Sequence, residues 1–262
     1  MRRFALYGAL AVIGLLISPA ANAIDHNNLE FGRSLRFDDA FSIAFGERSW
    51  EVGFGLGLPK KRSARYEAHM EFKYGFAPNR DVGISVEPAA GGGTDGRSNR
   101  FDVGNVALSY FHGFQREIGN APALAYRVDV EAPTGRDEEG VRTRLRGIMT
   151  RTLRQYDKLH LNLDVNWAAK PGSGERRSTI AAVVGYSAPV GFPRRFDTTM
   201  LAQFALAQSP MRGEGWTGTV GMGIRRQTGV RSVVDVGIES DVFAPSGART
   251  PFRFVAGYSV GY

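Results

Sequence analysis

Charged residues recur at every second position along several stretches of this chain. Glu67, His69, Glu71 and Lys73 form one row, Arg127, Asp129 and Glu131 a second, and Arg144 and Arg146 a third. His160 and Asp164 keep the same parity in their stretch, as do Arg225, Arg231, Asp235 and Glu239 in theirs. A spacing of two places each row on one face of an extended strand. Facing rows of both signs suit two tasks. They can set up a transverse field that sorts solutes by charge and dipole, or they can pair into a network that fills a bore and braces its walls.

Enzyme chemistry finds little support in the same residues. The chain has no Cys, and His26, His69, His112 and His160 show no metal-ligand spacing. His69 and Glu71 share a face, but a charged row explains that without a metal. His112 lies between Tyr110 and Phe114 on an apolar face with no Ser assignable beside it. Anchoring at an interface is therefore the expectation for His112, and a lipid-face hydrolase is a distant third reading of the chain. Gly218, Gly221 and Gly223 lack the Lys-Ser/Thr that a phosphate-cradling loop needs. No catalytic residue, no metal and no cofactor are expected, and the chain is not read as an enzyme.

The rows need strands to carry them, and each row alternates with apolar residues. Tyr66, Ala68, Met70, Phe72 and Tyr74 interleave with the first row, and Leu159, Leu161, Leu163, Val165 and Trp167 with His160 and Asp164. The alternation predicts twelve strands, at about 50–58, 66–74, 82–86, 106–114, 124–130, 145–153, 159–167, 180–186, 200–206, 216–224, 230–238 and 252–262. Turn signals separate them, with tight turns expected at Pro78-Asn79, Gly119-Asn120, Asp157-Lys158 and Thr228-Gly229 and a longer one at 189–196. The other connections are longer and polar, which is the loop asymmetry of an outer-membrane barrel. The last strand ends on Tyr262. Left unpaired, such a strand is an aggregation hazard; pairing with 50–58 closes the sheet and removes the edge. A soluble β-sandwich would pack these apolar faces against charged rows.

The fold class expected is therefore all-β, a transmembrane antiparallel β-barrel of about twelve strands with short periplasmic turns and longer extracellular loops. Aromatics near the strand ends form two interface belts: Trp50, Tyr74, Tyr110, Tyr126, Tyr186, Tyr258 and Tyr262 toward the short turns, and Trp167, Trp216 and Phe252 toward the loops. Residues 1–23 read as a cleaved signal peptide, from Arg2 and Arg3, an apolar run at 9–17 and Ala21-Asn22-Ala23. Residues 24–49 show no clear strand. A periplasmic leader, a partial plug or an extra strand are all open, with a leader that partly enters the lumen preferred. The barrel occupies 50–262.

The net charge of +7 does not point to nucleic acid, because the arginines are scattered. Basic loops facing anionic outer-membrane lipid and lipopolysaccharide account for it. The other partners expected are the barrel-assembly machinery and a small-molecule solute; the oligomeric state is left open.

Several stretches resemble one family. These are Tyr74-Gly75-Phe76-Ala77-Pro78-Asn79-Arg80-Asp81-Val82-Gly83, Asp102-Val103-Gly104-Asn105-Val106-Ala107-Leu108, Val130-Glu131-Ala132-Pro133-Thr134-Gly135-Arg136 and Leu159-His160-Leu161-Asn162-Leu163-Asp164. In this order they are similar to the outer-membrane transporters associated with the meta-cleavage pathway of phenol degradation, over roughly residue 50 to the C-terminus. The resemblance implies an outer-membrane barrel channel that takes up aromatic or other hydrophobic compounds, and it supplies no catalytic residues. The function expected is passive uptake of small molecules. The alternative is a non-conducting structural or surface-interaction barrel closed by 24–49 and ion pairs.

Overall fold

The computed structural model describes residues 35–60, 63–91, 101–135, 140–245 and 249–262. The expected signal peptide and the first part of the 24–49 leader lie outside the described residues, as do 92–100 and 136–139 in two loops. Fourteen strands run in chain order: β1 (Arg48–Leu58), β2 (Arg65–Ala77), β3 (Arg80–Val86), β4 (Ala89–Gly91), β5 (Phe101–Asp102), β6 (Val106–Gln115), β7 (Ala123–Ala132), β8 (Arg142–Arg154), β9 (Asp157–Ala168), β10 (Ser178–Pro189), β11 (Thr198–Gln208), β12 (Trp216–Gly229), β13 (Ser232–Phe243) and β14 (Phe252–Gly261).

Two of these are extensions rather than walls. β4 and β5 prolong β3 and β6 beyond two breaks: β4 pairs with β2, and β5 with β4. The first break falls at Glu87-Pro88, where Pro88 has no amide hydrogen to give, although its carbonyl still accepts from Ala68 N at 2.8 Å. The second needs Gly104, which takes φ +76° with Glu87 O so close that a Cβ would sit 2.1 Å from it.

The remaining twelve strands form one antiparallel meander, and β1 pairs with both β2 and β14. The sheet therefore closes into a barrel with no free edge. At the seam Trp50 faces Val260 and Leu58 faces Phe252. Arg48 and Tyr262 exchange both backbone hydrogen bonds, at 3.1 and 2.9 Å, below the last paired residues of β14. The short turns after β2, β8 and β12 lie at the same end as this junction.

Two turn positions differ from the sequence expectation. The turn expected at Asp157-Lys158 sits earlier: Asp157 opens β9, and Gln155 takes a positive φ of 31° at the turn. The turn expected at Thr228-Gly229 sits later. A register shift between Gln227 and Gly229 carries β12 on to Gly229, so Val230 and Arg231 form the tip and β13 starts at Ser232. Val230 is then 77% exposed instead of standing on a strand face. Arg231 is in the turn, not in the wall of the bore, which corrects its place among the expected lumen residues.

Burial alternates along the walls, as in the exposed-buried repeat of β3. The outward residues are apolar and include Phe54, Ile84, Leu108, Leu163, Met222 and Phe254, all exposed. The inward face is less polar than expected, because Phe111, Ala123, Ala125, Ile148, Val183, Leu201, Ala205 and Val233 are buried there among the charges. These apolar positions have an occupant: residues 35–47 run inside the bore.

Candidate functional site

The segment 35–47 makes no strand, and the wall satisfies its backbone instead. Arg36 N donates to Gln203 Oε1 at 2.8 Å, Asp38 N to Asn162 Oδ1 at 2.6 Å, Ala40 N to Thr150 Oγ1 at 3.0 Å and Ile43 N to Asp81 Oδ2 at 3.3 Å. Asn162 Nδ2 returns a bond to Asp38 O at 2.9 Å. These wall residues descend from the middle of β11, β9 and β8 to the foot of β3. The segment therefore passes down the bore and leaves at the short-turn end, where Gly46 N bonds Gly75 O at 2.6 Å. β1 then climbs back as wall. Buried backbone groups need such partners, and between Arg36 and Ile43 inward side chains supply them.

Two apolar clusters complete the docking. Leu35 and Phe37 pack with Val183, Leu201 and Ala205, and Ala40 packs with Phe111, Ala123, Ala125 and Ile148. Phe37 stacks on the His160 ring with centroids 5.0 Å apart and lies over Gly185, where a Cβ would come within 2.6 Å of the ring. His160 is held from both sides, by Thr150 Oγ1 at 3.1 Å on Nδ1 and Ser187 Oγ at 3.0 Å on Nε2. Thr150 Oγ1 also accepts from Ala40 N, so the same hydroxyl holds both the segment and the ring.

One ion cluster joins the segment to the wall. Arg146, 1% exposed, donates from Nε and Nη2 to the Asp164 carboxylate at 2.6 and 2.7 Å, and from Nη1 to Asp38 Oδ2 at 2.7 Å. A planar guanidinium suits this bridge, because its fork takes one carboxylate with two bonds and still reaches a second. Higher up, Arg36 bonds Glu239 at 2.9 to 3.1 Å, and Gln203 Nε2 also donates to Glu239 at 2.6 Å.

Other expected lumen residues form a second cluster on β2, β7 and β8, beside the first, with Arg225 and Asp235 as a separate pair. Glu71 accepts from Arg127 Nη2 at 2.7 Å and Ser109 Oγ at 2.9 Å, with Lys73 Nζ at 3.5 Å and His69 Nε2 at 3.4 Å. Arg127 Nε reaches Asp129 at 2.8 Å, and Arg144 Nε takes the other Asp129 oxygen at 2.9 Å. Lys73 also pairs with Glu51 at 3.5 Å, and Arg225 pairs with Asp235 at 3.3 Å. Glu67, Glu131 and Arg144 are half-buried toward the loop end. The fully buried charges of this cluster persist because each has an opposite partner. Among the described residues no group of His, Asp and Glu is arranged to hold a metal.

Above the segment the described residues leave cavities in the bore. A cavity of about 260 Å³ has Leu35 and Arg36 in its floor and Glu67, His69, Glu239 and Arg253 in its sides. A neighbouring one of about 320 Å³ is bounded by Arg65, Glu87, Asp102, Glu131 and Arg142. Together they make a charged vestibule at the long-loop end.

The belt residues stand on the outward parity. Trp50, Tyr74, Trp167, Trp216 and Phe252 are exposed, and Tyr110, Tyr126, Tyr186, Tyr258 and Tyr262 are half-exposed. The sequence reading did not single out the residues that seat the inner segment: Asp38, Phe37, Asn162, Thr150, Gln203, Asp81 and Gly185. A polar Asn or Thr on an inward row was visible, but its partner lay in a stretch without periodicity.

No family model matches the sequence, and no curated protein is similar to it in sequence. Solved structures are similar in fold. The COG4313 outer membrane channel from Pseudomonas putida F1 aligns with a TM-score of 0.72 at 12% identity, over 87% of this chain and 100% of that one. The NanC porin aligns with a TM-score of 0.58 at 12% identity, over 80% and 98%. The KdgM porin gives 0.52 at 10% identity, over 82% and 99%. The fold is thus a closed twelve-stranded antiparallel β-barrel of the outer-membrane porin type. Within that class, this barrel carries its own chain through the bore.

Proposed function

We propose that the protein is an outer-membrane channel for passive uptake of small molecules, with residues 35–47 as a plug that sets how far the bore is open. The observation that carries this reading is the charged vestibule that the described residues form at the long-loop end, floored by Leu35 and Arg36. A purely structural barrel of this size needs no chamber. The exposed apolar band with aromatics near both rims suits a bilayer reached by export and by the barrel-assembly machinery, with lipopolysaccharide around the loop end. The solute class follows from the sequence resemblance and not from the chamber: aromatic or other hydrophobic compounds.

The second reading, a non-conducting barrel, draws on the density of the plug contacts. Planar-bilayer recordings separate the two. The channel reading expects small conductance from the whole protein and larger conductance from a variant lacking residues 35–47. Silence from both, with the barrel folded, would establish the non-conducting reading. Liposome swelling over aromatic acids, phenols and sugars then ranks the solutes.

A further inference from the structure

The outer wall carries a polar cluster that the channel does not use. Tyr110 and His112 on β6 and Tyr126 on β7 face away from the bore, alternating with the buried Ser109, Phe111, Ala125 and Arg127. Ring centroids lie 6.0 Å apart for Tyr110 and Tyr126 and 5.5 Å for His112 and Tyr126, with Phe76 and Phe114 packed at the sides. His112 Nδ1 is 3.4 Å from the Tyr126 hydroxyl. Arg80, at the foot of β3, is the register partner of His112 and is exposed. It forms no ion pair among the described residues. An outward guanidinium at the rim of an apolar band stands at headgroup height, where phosphate is the anion its fork fits best. Val82, Ile84 and Leu108 continue the same outward face upward as an apolar track, all of them exposed.

We propose that this cluster binds the headgroup phosphate of an anionic glycerophospholipid, with Arg80 as the charge partner, Tyr126 and His112 as hydrogen-bond donors, and the acyl chains along Val82, Ile84 and Leu108. The inference rests on the outer-membrane reading above, which places the short-turn end in the inner leaflet, where phospholipid and not lipid A is found. The carboxylates near the cluster are engaged elsewhere. Asp81 faces the bore and accepts from Ile43 N, and Glu117 is held by Arg151 and Thr152. Neither carboxylate is therefore left to pair with an ammonium headgroup.

The test is native mass spectrometry of the full-length protein in detergent with phosphatidylglycerol, phosphatidylethanolamine or lipid A added. Phosphatidylglycerol should be retained most tightly, and Arg80→Gln should weaken its retention about tenfold, the loss of a charge-assisted bond. Arg226→Gln should change nothing, because Arg226 is also outward and exposed but pairs with Asp197 at 3.5 Å. Equal retention by wild type and Arg80→Gln would overturn the proposal, and so would equal retention of the two phospholipids or a preference for lipid A. If Arg80→Gln does not fold, Tyr126→Phe decides, since it removes one hydroxyl: weaker retention supports the site and unchanged retention rejects it. Folding is read separately, by the heat-dependent gel shift and insertion into liposomes. Loss of both in the wild type would count against the outer-membrane reading itself.

Discussion

The bond between Asp38 and Arg146 is where the plug can be loosened without touching the wall. In Asp38→Asn the side chain keeps its shape, and Arg146 keeps both bonds to Asp164 at 2.6 and 2.7 Å. What is lost is the charge on the 2.7 Å contact from Arg146 Nη1. Hydrogen bonds to charged groups contribute ~1.5–3 kcal/mol when made inside a protein. Asparagine retains a neutral acceptor, so ~1.5–2 kcal/mol is the part removed. At ~1.4 kcal/mol per decade the undocked fraction of the plug should rise ~10- to 30-fold. Single-channel recording reads this as more frequent openings to the level of the variant lacking residues 35–47. The chain has no Cys, so a disulfide between Ala40→Cys and Ala125→Cys, which belong to one packed cluster, gives a clean lock. Openings should vanish when it is oxidised and return with reductant. If Asp38→Asn recordings match the wild type while the deletion variant opens fully, the latch argument is wrong.

Three further outcomes are expected. Gly185→Val should overpack against the Phe37 ring, raising plug release by ~1–3 kcal/mol and increasing conductance, while the melting of the barrel stays close to wild type. Glu71→Gln should act on the wall instead. It takes one of two buried partners from Arg127 and from Lys73, which keep Asp129 and Glu51, at a cost of ~1.5–3 kcal/mol, read as a lower temperature for the heat-dependent gel shift. Deleting Tyr262 removes both backbone bonds to Arg48 at the foot of the seam, so the folded fraction recovered from membranes should fall while the conductance of the barrels that do form is unchanged.

The wall was legible because its signal is local. Glu71 and Arg127 announce themselves by standing between apolar neighbours, and a period of two then fixes which way they point. The closing pair is legible for a related reason, since an alternating strand at each end of a meander has only the other to pair with. Turn tips were less so: Val230 extends the alternation of β13 by one step, yet the register shift near Gly229 places it outside the strand. The plug was the least legible part. Leu35, Phe37, Asp38 and Asp39 mix apolar and charged residues with no period, because an irregular segment surrounded by wall buries residues on every side.

That asymmetry says which side of the contact specifies the plug. Gln203, Asn162, Thr150 and Asp81 all bind main-chain groups of the segment, which any residue but proline would present. Arg36, Phe37 and Asp38 are gripped through their side chains in a way that another residue would lose, and Leu35 and Ala40 each sit in an apolar cluster of the wall. The wall therefore holds a shape and a path, and the segment contributes a few keyed positions near its upper half. The lower end of the segment continues directly into β1, so release has to begin on the vestibule side. Peeling from the vestibule side would enlarge the chamber first and open the bore last, leaving the barrel closed at its seam throughout.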